Sequence, residues 1–274
     1  MNADGSGLLR FARNDGYVMK MSQANEIQRN GSQRSVTREW VPEVPVALEF
    51  NGLAYAVMMA TPSDLDDFVR GFALTEGLAR HVSEIGEIAL SETDMGHIAR
   101  ANIAGLGADQ LAQRVRTRVA ESSCGLCGIE NLEALAKPLT QVPAHRPPAP
   151  AAIFSAIDQL GTLQQLNQRT GAAHGAAFAR RDGSILMLRE DVGRHNAIDK
   201  LVGALAAGGH DIADGFVIST ARCSYEIVEK VVRAGGTCLV TVSLPTSMAV
   251  ERAQTCGLSL ICLARGDSYL AIEG

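Results

Sequence analysis

Aromatic residues are scarce in this chain, 4% of 274 residues with a single tryptophan, so it lacks the stacking platforms on which single-stranded nucleic acid is held. It also lacks an excess of one charge sign. Twenty-five basic residues against 30 acidic ones leave a net charge of −5, which offers no general attraction to nucleic acid or anionic lipid. Any phosphate-bearing ligand has to be caught locally. The longest apolar runs, Leu53 to Ala60 and Thr237 to Leu244, stop well short of the ~18–20 residues of a membrane-spanning helix. The first 35 residues hold no apolar stretch of signal-peptide length, and the expected location is the cytoplasm. What the chain does have is hydrophobic residues, 46% of the total, enough for one large or two modest cores and too many for a disordered or fibrous protein.

Six cysteines (Cys124, Cys127, Cys223, Cys238, Cys256 and Cys262) without an export signal make a poor disulfide framework. The last four sit in apolar, strand-like or helical surroundings and read as buried, inert thiols. Only the close pair asks for a chemical explanation.

Residues 1–38 read as a disordered extension, with folded structure beginning near Trp40. Val46–Phe50 and Leu53–Met59 flank Asn51-Gly52, the signature of a two-residue β-hairpin. Thr61-Pro62-Ser63-Asp64 supplies a helix cap and a first-turn proline ahead of a helix reaching about Ala79. Short strands around Glu87–Leu90 and Ile98–Ile103 and a helix over Ala108–Ala120 complete a small α+β region, residues 39–137. Five prolines within residues 138–150 mark a stiff linker. From residue 151 to 274, helical patterns (Ile153–Gln168, Asn196–Ala206, Tyr225–Ala234, Met248–Thr255) alternate with short apolar runs, predicting an α/β layered domain on a largely parallel sheet.

Cys124-Gly125-Leu126-Cys127-Gly128 sets two thiols three positions apart between glycines that free the backbone for tight turns. A thiolate is the reactive form, and nearby N–H groups can populate it. Four explanations compete. Structural zinc needs about four ligands, and no second Cys-x-x-Cys or paired histidines supply them. A thioredoxin-like redox pair belongs at a strand-to-helix junction, whereas this one follows a helix and precedes a linker. An idle pair is the third explanation, and the fourth is nucleophilic sulfur transfer through a persulfide, which fits an exposed thiol and asks nothing more of the local sequence. A zinc deaminase is excluded. Thr170–Ala176 resembles the segment bearing that class's histidine, but Ala176 stands where its general acid/base Glu belongs, and the cysteines precede His174 by about fifty residues.

In open α/β sheets, ligands gather where strands end and helices begin. Phe216–Arg222, Val240–Ser247 and Arg189–Asn196 have that form, and together they suit phosphates and a purine edge. The plainer reading of each is helix capping, with Arg194 and Arg222 paired to carboxylates and His195 a structural residue.

Taken together, Val41–Val46, Ser63–Phe68 with Gly71-Phe72 and Thr75–Gly77, Cys124–Gly128, Arg189–Lys200, Ser219–Arg222 and Pro245–Val250 resemble the FdhD family of formate dehydrogenase accessory sulfurtransferases. The resemblance implies a cytidine-deaminase-like C-terminal domain and a homodimer. It also implies that a cysteine desulfurase loads a persulfide onto Cys124, with Cys127 auxiliary. The acceptor implied is the molybdenum bis(molybdopterin guanine dinucleotide) cofactor of formate dehydrogenase, recognised through Leu263, Ala264, Arg265, Gly266, Asp267 and Ser268. Family members often carry an aromatic where this chain has Leu263. No resident metal, nucleic acid or membrane partner is expected. The rival function is a chaperone that binds the cofactor without moving sulfur.

Overall fold

The computed structural model describes residues 19–107, 109–114 and 139–272. Strands β1 (Lys20–Ile27) and β2 (Gln33–Trp40) pair antiparallel through their whole length, Lys20 opposite Trp40 and Ile27 opposite Gln33. This corrects the expectation of disorder up to residue 38. The ribbon escapes sequence reading because both faces stay largely exposed and no apolar alternation marks it. Polar pairs across the ribbon hold it instead: Arg34 to Glu26 at 2.7 Å and Trp40 Nε1 to Ser22 Oγ at 2.7 Å.

Strands β3 (Val44–Phe50) and β4 (Leu53–Ala60) form the expected hairpin, with Asn51 and Gly52 at φ 49° and 78° closing a two-residue turn. With β5 (Ala89–Thr93) and β6 (Gly96–Ala101) they make a four-stranded sheet, β4-β3-β6-β5, in which β6 runs parallel to β3. Helix α1 (Leu65–Thr75) packs Phe68, Val69 and Phe72 onto Val46, Leu48 and Phe50, which alternate inward on β3. It ends sooner than expected. Gly77, at φ 68°, lets Leu78 N–H return to Ala73 O at 2.8 Å, a Schellman closure. Its start differs too, because Asp64 adopts φ 52° without capping the helix and Pro62 lies outside it.

Residues 139–149 are tied down along their course. Val142 N–H meets Cys256 O at 2.9 Å, and His145 Nε2 lies 2.8 Å from Ser259 Oγ. Two helices follow, α2 (Pro150–Leu163) and α3 (Gln165–Thr170), in place of the single one expected. The break has a tertiary cause: the Glu190 carboxylate accepts Leu166 and Asn167 N–H, both at 2.8 Å, and so caps a new helix start.

The C-terminal sheet runs β12-β11-β10-β9-β7-β8, built from β7 (His174–Arg180), β8 (Ile185–Asp191), β9 (Gly215–Ser219), β10 (Cys238–Thr241), β11 (Ser259–Cys262) and β12 (Leu270–Ile272). Only β9, β10 and β11 are mutually parallel; β7, β8 and β12 run antiparallel to their neighbours. The expected largely parallel sheet is therefore a mixed one, because β7 and β8 join through a tight turn too short for a crossover. Alternate strand residues serve two cores. Phe216, Ile218 and Val240 meet α2 on one face, while Val217, Leu239 and Leu260 meet α4 (Arg194–Ala207), α5 (Tyr225–Arg233) and α6 (Ser247–Cys256) on the other.

The small sheet's helix and the large domain's helix, α1 and α4, touch backbone to backbone. A Cβ added at Gly71 would sit 1.6 Å from Asp199 O, and one at Gly203 would sit 1.9 Å from Asp67 O. Only glycine permits that approach.

Candidate functional site

Strand directions bring the ends of β8, β9, β10 and β11 and the start of β7 to one edge of the large sheet. The segment Leu263–Ser268 leaves β11 there. Leu263, at φ 49°, donates its N–H to Ser243 O at 3.3 Å, and Ala264 N–H reaches Thr241 O at 3.0 Å. Arg265 closes the turn on itself, its N–H meeting Ser268 O at 2.8 Å and its Nη1 meeting Val242 O at 2.5 Å. The guanidinium expected to face a ligand thus braces the loop against β10's end. Gly266, Asp267 and Ser268 are left exposed, and Tyr269 anchors the loop's far side against Phe154 with ring centroids 5.4 Å apart.

Farther along the same edge, with β10 and β9 between β11 and β7, stand His174 at the start of β7, Arg194 and His195 opening α4, and Arg222 after β9. Burial lowers the pKa of His174, and the charges of Arg194, His195 and Arg222 lower it further against the opposing pull of Asp191. The neutral imidazole of His174 is thereby favoured. His195 Nε2 lies 2.9 Å from Glu226 Oε2. That contact, more than the charge of nearby Arg194, holds the Glu226 carboxyl below its usual value. Neither Arg194 nor Arg222 makes an ion pair among the described residues. Both guanidiniums bear on His174, while the Glu226 carboxyl, held by His195, feels Arg194 only as a weaker, longer-range charge, so positive charge at this edge is incompletely balanced. Around His174 no three His, Cys, Asp or Glu side chains converge as metal ligands among the described residues.

The rest of the Arg189–Lys200 segment turns inward and does a different job. Asp191, fully buried, meets Lys200 Nζ at 2.6 Å and accepts N–H groups from Thr61 at 3.0 Å and Gly193 at 2.7 Å. Lys200 also donates to Thr61 O at 2.8 Å, and Asn196 bridges Asp191 to Met59 O. Arg189 clasps Asp67 at 2.8 Å. These bonds fasten the N-terminal unit to the large domain, so Arg189, Asp191 and Asn196 are not free for a ligand as the strand-to-helix reading suggested.

A second buried group joins the same seam. Lys230 Nζ lies 2.9 Å from Asp199 Oδ1, 3.0 Å from Glu76 Oε1 and 3.0 Å from Thr75 Oγ1. Burial alone would lower the Lys230 pKa; Asp199 and Glu76 outweigh it and raise it. Sequence reading missed this site, although Lys230 in an otherwise apolar helix stripe with Ile227 and Val231 was a visible signal.

Cys124 and Cys127 lie outside the described residues. The other four cysteines are buried. Desolvation pushes the thiols of Cys223 and Cys238 up to about 12 and raises those of Cys256 and Cys262. A thiol at that level is ionised roughly once in 10⁵ molecules at pH 7. At all four, desolvation disfavours the reactive thiolate form.

Residues 41–272 match the FdhD/NarQ family. The chain belongs to that family. Curated FdhD/NarQ relatives include proteins named sulfur carrier protein FdhD from Cupriavidus necator, 40% identical over 88% of this chain and 84% of that one, and from Chromobacterium violaceum, 43% identical over 88% and 90%. The crystal structure of a formate dehydrogenase accessory protein from Desulfotalea psychrophila shares the fold, with a TM-score of 0.73 at 22% identity over 94% of this chain and 98% of that one. The seam residues Arg189–Lys200 and the edge segments Ser219–Arg222 and Leu263–Ser268 all fall inside the matched FdhD/NarQ region. No helix among the described residues is long and apolar enough to cross a membrane.

Proposed function

We propose that this protein is a cytoplasmic sulfur carrier that accepts persulfide sulfur from a cysteine desulfurase on Cys124. It passes that sulfur to the molybdenum bis(molybdopterin guanine dinucleotide) cofactor destined for a formate dehydrogenase, and acts as a homodimer. In the loading step the Cys124 thiolate attacks the donor's sulfane sulfur. A new S–S bond forms, the donor's S–S bond breaks, and the donor cysteine leaves as a thiolate. Cys127 serves as an auxiliary thiol.

The observation that carries this reading is the exclusion of the other four cysteines, each buried with its thiol held protonated. Only the glycine-flanked pair remains for sulfur chemistry. The names of the curated relatives support the role of sulfur carrier. The sheet edge suits the acceptor substrate: Arg194 and Arg222 offer unpaired charge to a pyrophosphate, and the exposed Asp267 carboxylate can accept from the N–H edge of guanine. Leu263, Ala264, Arg265, Gly266 and Ser268 shape that loop.

The test is genetic and biochemical. Cys124→Ala should abolish formate dehydrogenase maturation in a strain lacking the wild-type protein while GDP binding by the purified variant stays within twofold. Full maturation by the variant would leave the cofactor-binding chaperone as the better reading.

A further inference from the structure

The β1–β2 ribbon is paired along its whole length yet buries almost none of its side chains. A lone two-stranded ribbon is marginal in water, so this one needs support from beyond itself. It also lies outside the region shared with the family, which begins at residue 41. At the usual rise per strand residue it reaches about 26 Å. Its register sorts the side chains onto two faces. One face is tied to α3, where Arg169 Nε meets Glu39 Oε2 at 2.6 Å. The other carries Lys20, Arg34 and Arg38 around Trp40 and Val36, and its single acid, Glu26, is held by Arg34. Lys20 and Arg38 make no ion pair among the described residues, nor does Arg29 at the turn, and Trp40 stays 47% exposed. This face is cationic and apolar at once.

The rest of the chain has the opposite sign. Residues 19–40 hold four basic and two acidic residues, whereas residues 41–274 hold 19 basic and 26 acidic ones. Within that acidic body, residues 86–95, which contain β5, carry Glu87, Glu92 and Asp94 and no basic residue. All three are exposed, and none makes an ion pair among the described residues. The nearest cations do little to offset them: Arg100 on β6 is committed to Glu49, and His97 is the cross-strand neighbour of Glu92 alone. Apolar side chains stand exposed among these carboxylates, Leu90 at 44% and Met95 at 85%. β5 is also the last strand of the small sheet, so no further strand of that sheet covers it. Cations and an exposed indole on the ribbon thus find their complement, carboxylates and exposed apolar groups, on the β5–β6 hairpin.

We infer that the ribbon is an arm that clasps a second copy of this chain, seating its Lys20, Arg38 and Trp40 face on the second copy's β5–β6 hairpin. The inference rests on the homodimer in the reading above and adds where the two copies touch. Made twice about a two-fold axis, one such contact closes a dimer and leaves no arm or hairpin unmatched. Opposite charge fixes the register of the arm. Trp40 and Val36 against Leu90 and Met95 supply the apolar centre that a lasting contact needs. The dimer weakens as salt rises, since exposed charges are screened beyond about 10 Å at 0.1 M.

The experiment follows dimerisation of the full chain by analytical ultracentrifugation. Lys20→Glu with Arg38→Glu should raise the dimer dissociation constant about tenfold or more, and Glu92→Lys with Asp94→Lys should do the same. All four substitutions in one chain restore opposite signs and should recover most of the lost affinity. Mixing the two double variants should give heterodimers under conditions where neither variant pairs with itself, because each arm then meets a hairpin of the other sign. Unchanged thermal melts establish that each variant is folded. If both double variants dimerise like wild type, the arm inference is overturned and the homodimer stands on another surface. The inference is equally overturned if reversing the hairpin has no effect, or if neither the fourfold variant nor the mixture recovers the dimer. If the wild type stays monomeric at every concentration, the arm contact and the homodimer both fall, while labelling of Cys124 still judges the carrier reading by itself.

Discussion

Asp191 and Arg194 are three residues apart, yet the first is sealed against Lys200 and the second stands at the sheet edge without an ion-pair partner among the described residues. The same contrast separates two whole regions. Along the seam between the domains buried charges are paired: Asp191 with Lys200, Asp199 with Lys230, Arg189 with Asp67. Along the edge, burial lowers the pKa of His174, and the guanidiniums of Arg194 and Arg222 make no ion pair among the described residues. Buried pairs gain little over an apolar substitute but are costly to break, which suits fixing one geometry. Unpaired rim charge costs stability and suits receiving an anion.

The largest expected effect comes from breaking the seam. Asp191→Ala leaves Lys200 buried without its partner and should cost about 3–5 kcal/mol, read as a lowered denaturation midpoint. Gly71→Ala, with its Cβ forced onto Asp199 O, should separate α1 from α4 and cost roughly 1–3 kcal/mol or more. On the edge the order of effects reverses. Arg194→Ala with Arg222→Ala should leave stability within about 0.5 kcal/mol, yet weaken GDP binding and flatten its salt dependence, measured by calorimetry. Seam-like behaviour of this double variant, a cooperative loss of fold, would erase the distinction.

A pH series sharpens the same contrast. The folded-state pKa of His174 lies below its ordinary 6.5. Its contribution to stability is therefore complete above that value and is lost as pH falls below it, where the unfolded chain takes up a proton that the folded one resists. Urea midpoints at pH 7.5 and 5.5 should differ, and His174→Gln should shrink the difference. Lys230 has the opposite sign: its raised pKa makes its contribution persist through neutral pH and fade only as pH climbs above 10.5. The smallest expected effect is at Leu263. Leu263→Phe should tighten GDP binding severalfold through ring stacking, with no change in the melt.

Much of the architecture was legible because it is local. Asn51-Gly52 announced the β3–β4 hairpin, and short apolar runs alternating with helical patterns announced the layered domain. The four cysteines read as inert are buried as expected. What escaped depends on distant partners. Thr61 and Asp191 meet across 130 positions, and Glu190 caps α3 across 24, so no window of sequence displays either. The Arg189–Lys200 segment was noticed as a charged turn, but whether a charge is spent inward or offered outward depends on the fold around it. The β1–β2 ribbon escaped for the opposite reason, having almost nothing to bury. The wholly apolar runs of the central strands could not report that three of the sheet's five strand pairings are antiparallel, since strands buried on both faces look alike in either direction.

The central claim, that the transferable sulfur is carried on Cys124 and on none of the four buried cysteines, is tested most directly by peptide mass spectrometry after incubating the full chain with a cysteine desulfurase and labelled cysteine. The account predicts one additional labelled sulfur on the peptide bearing Cys124 and none on those bearing Cys223, Cys238, Cys256 or Cys262. Label on any of those four, or a wild-type protein that takes up none, would contradict it.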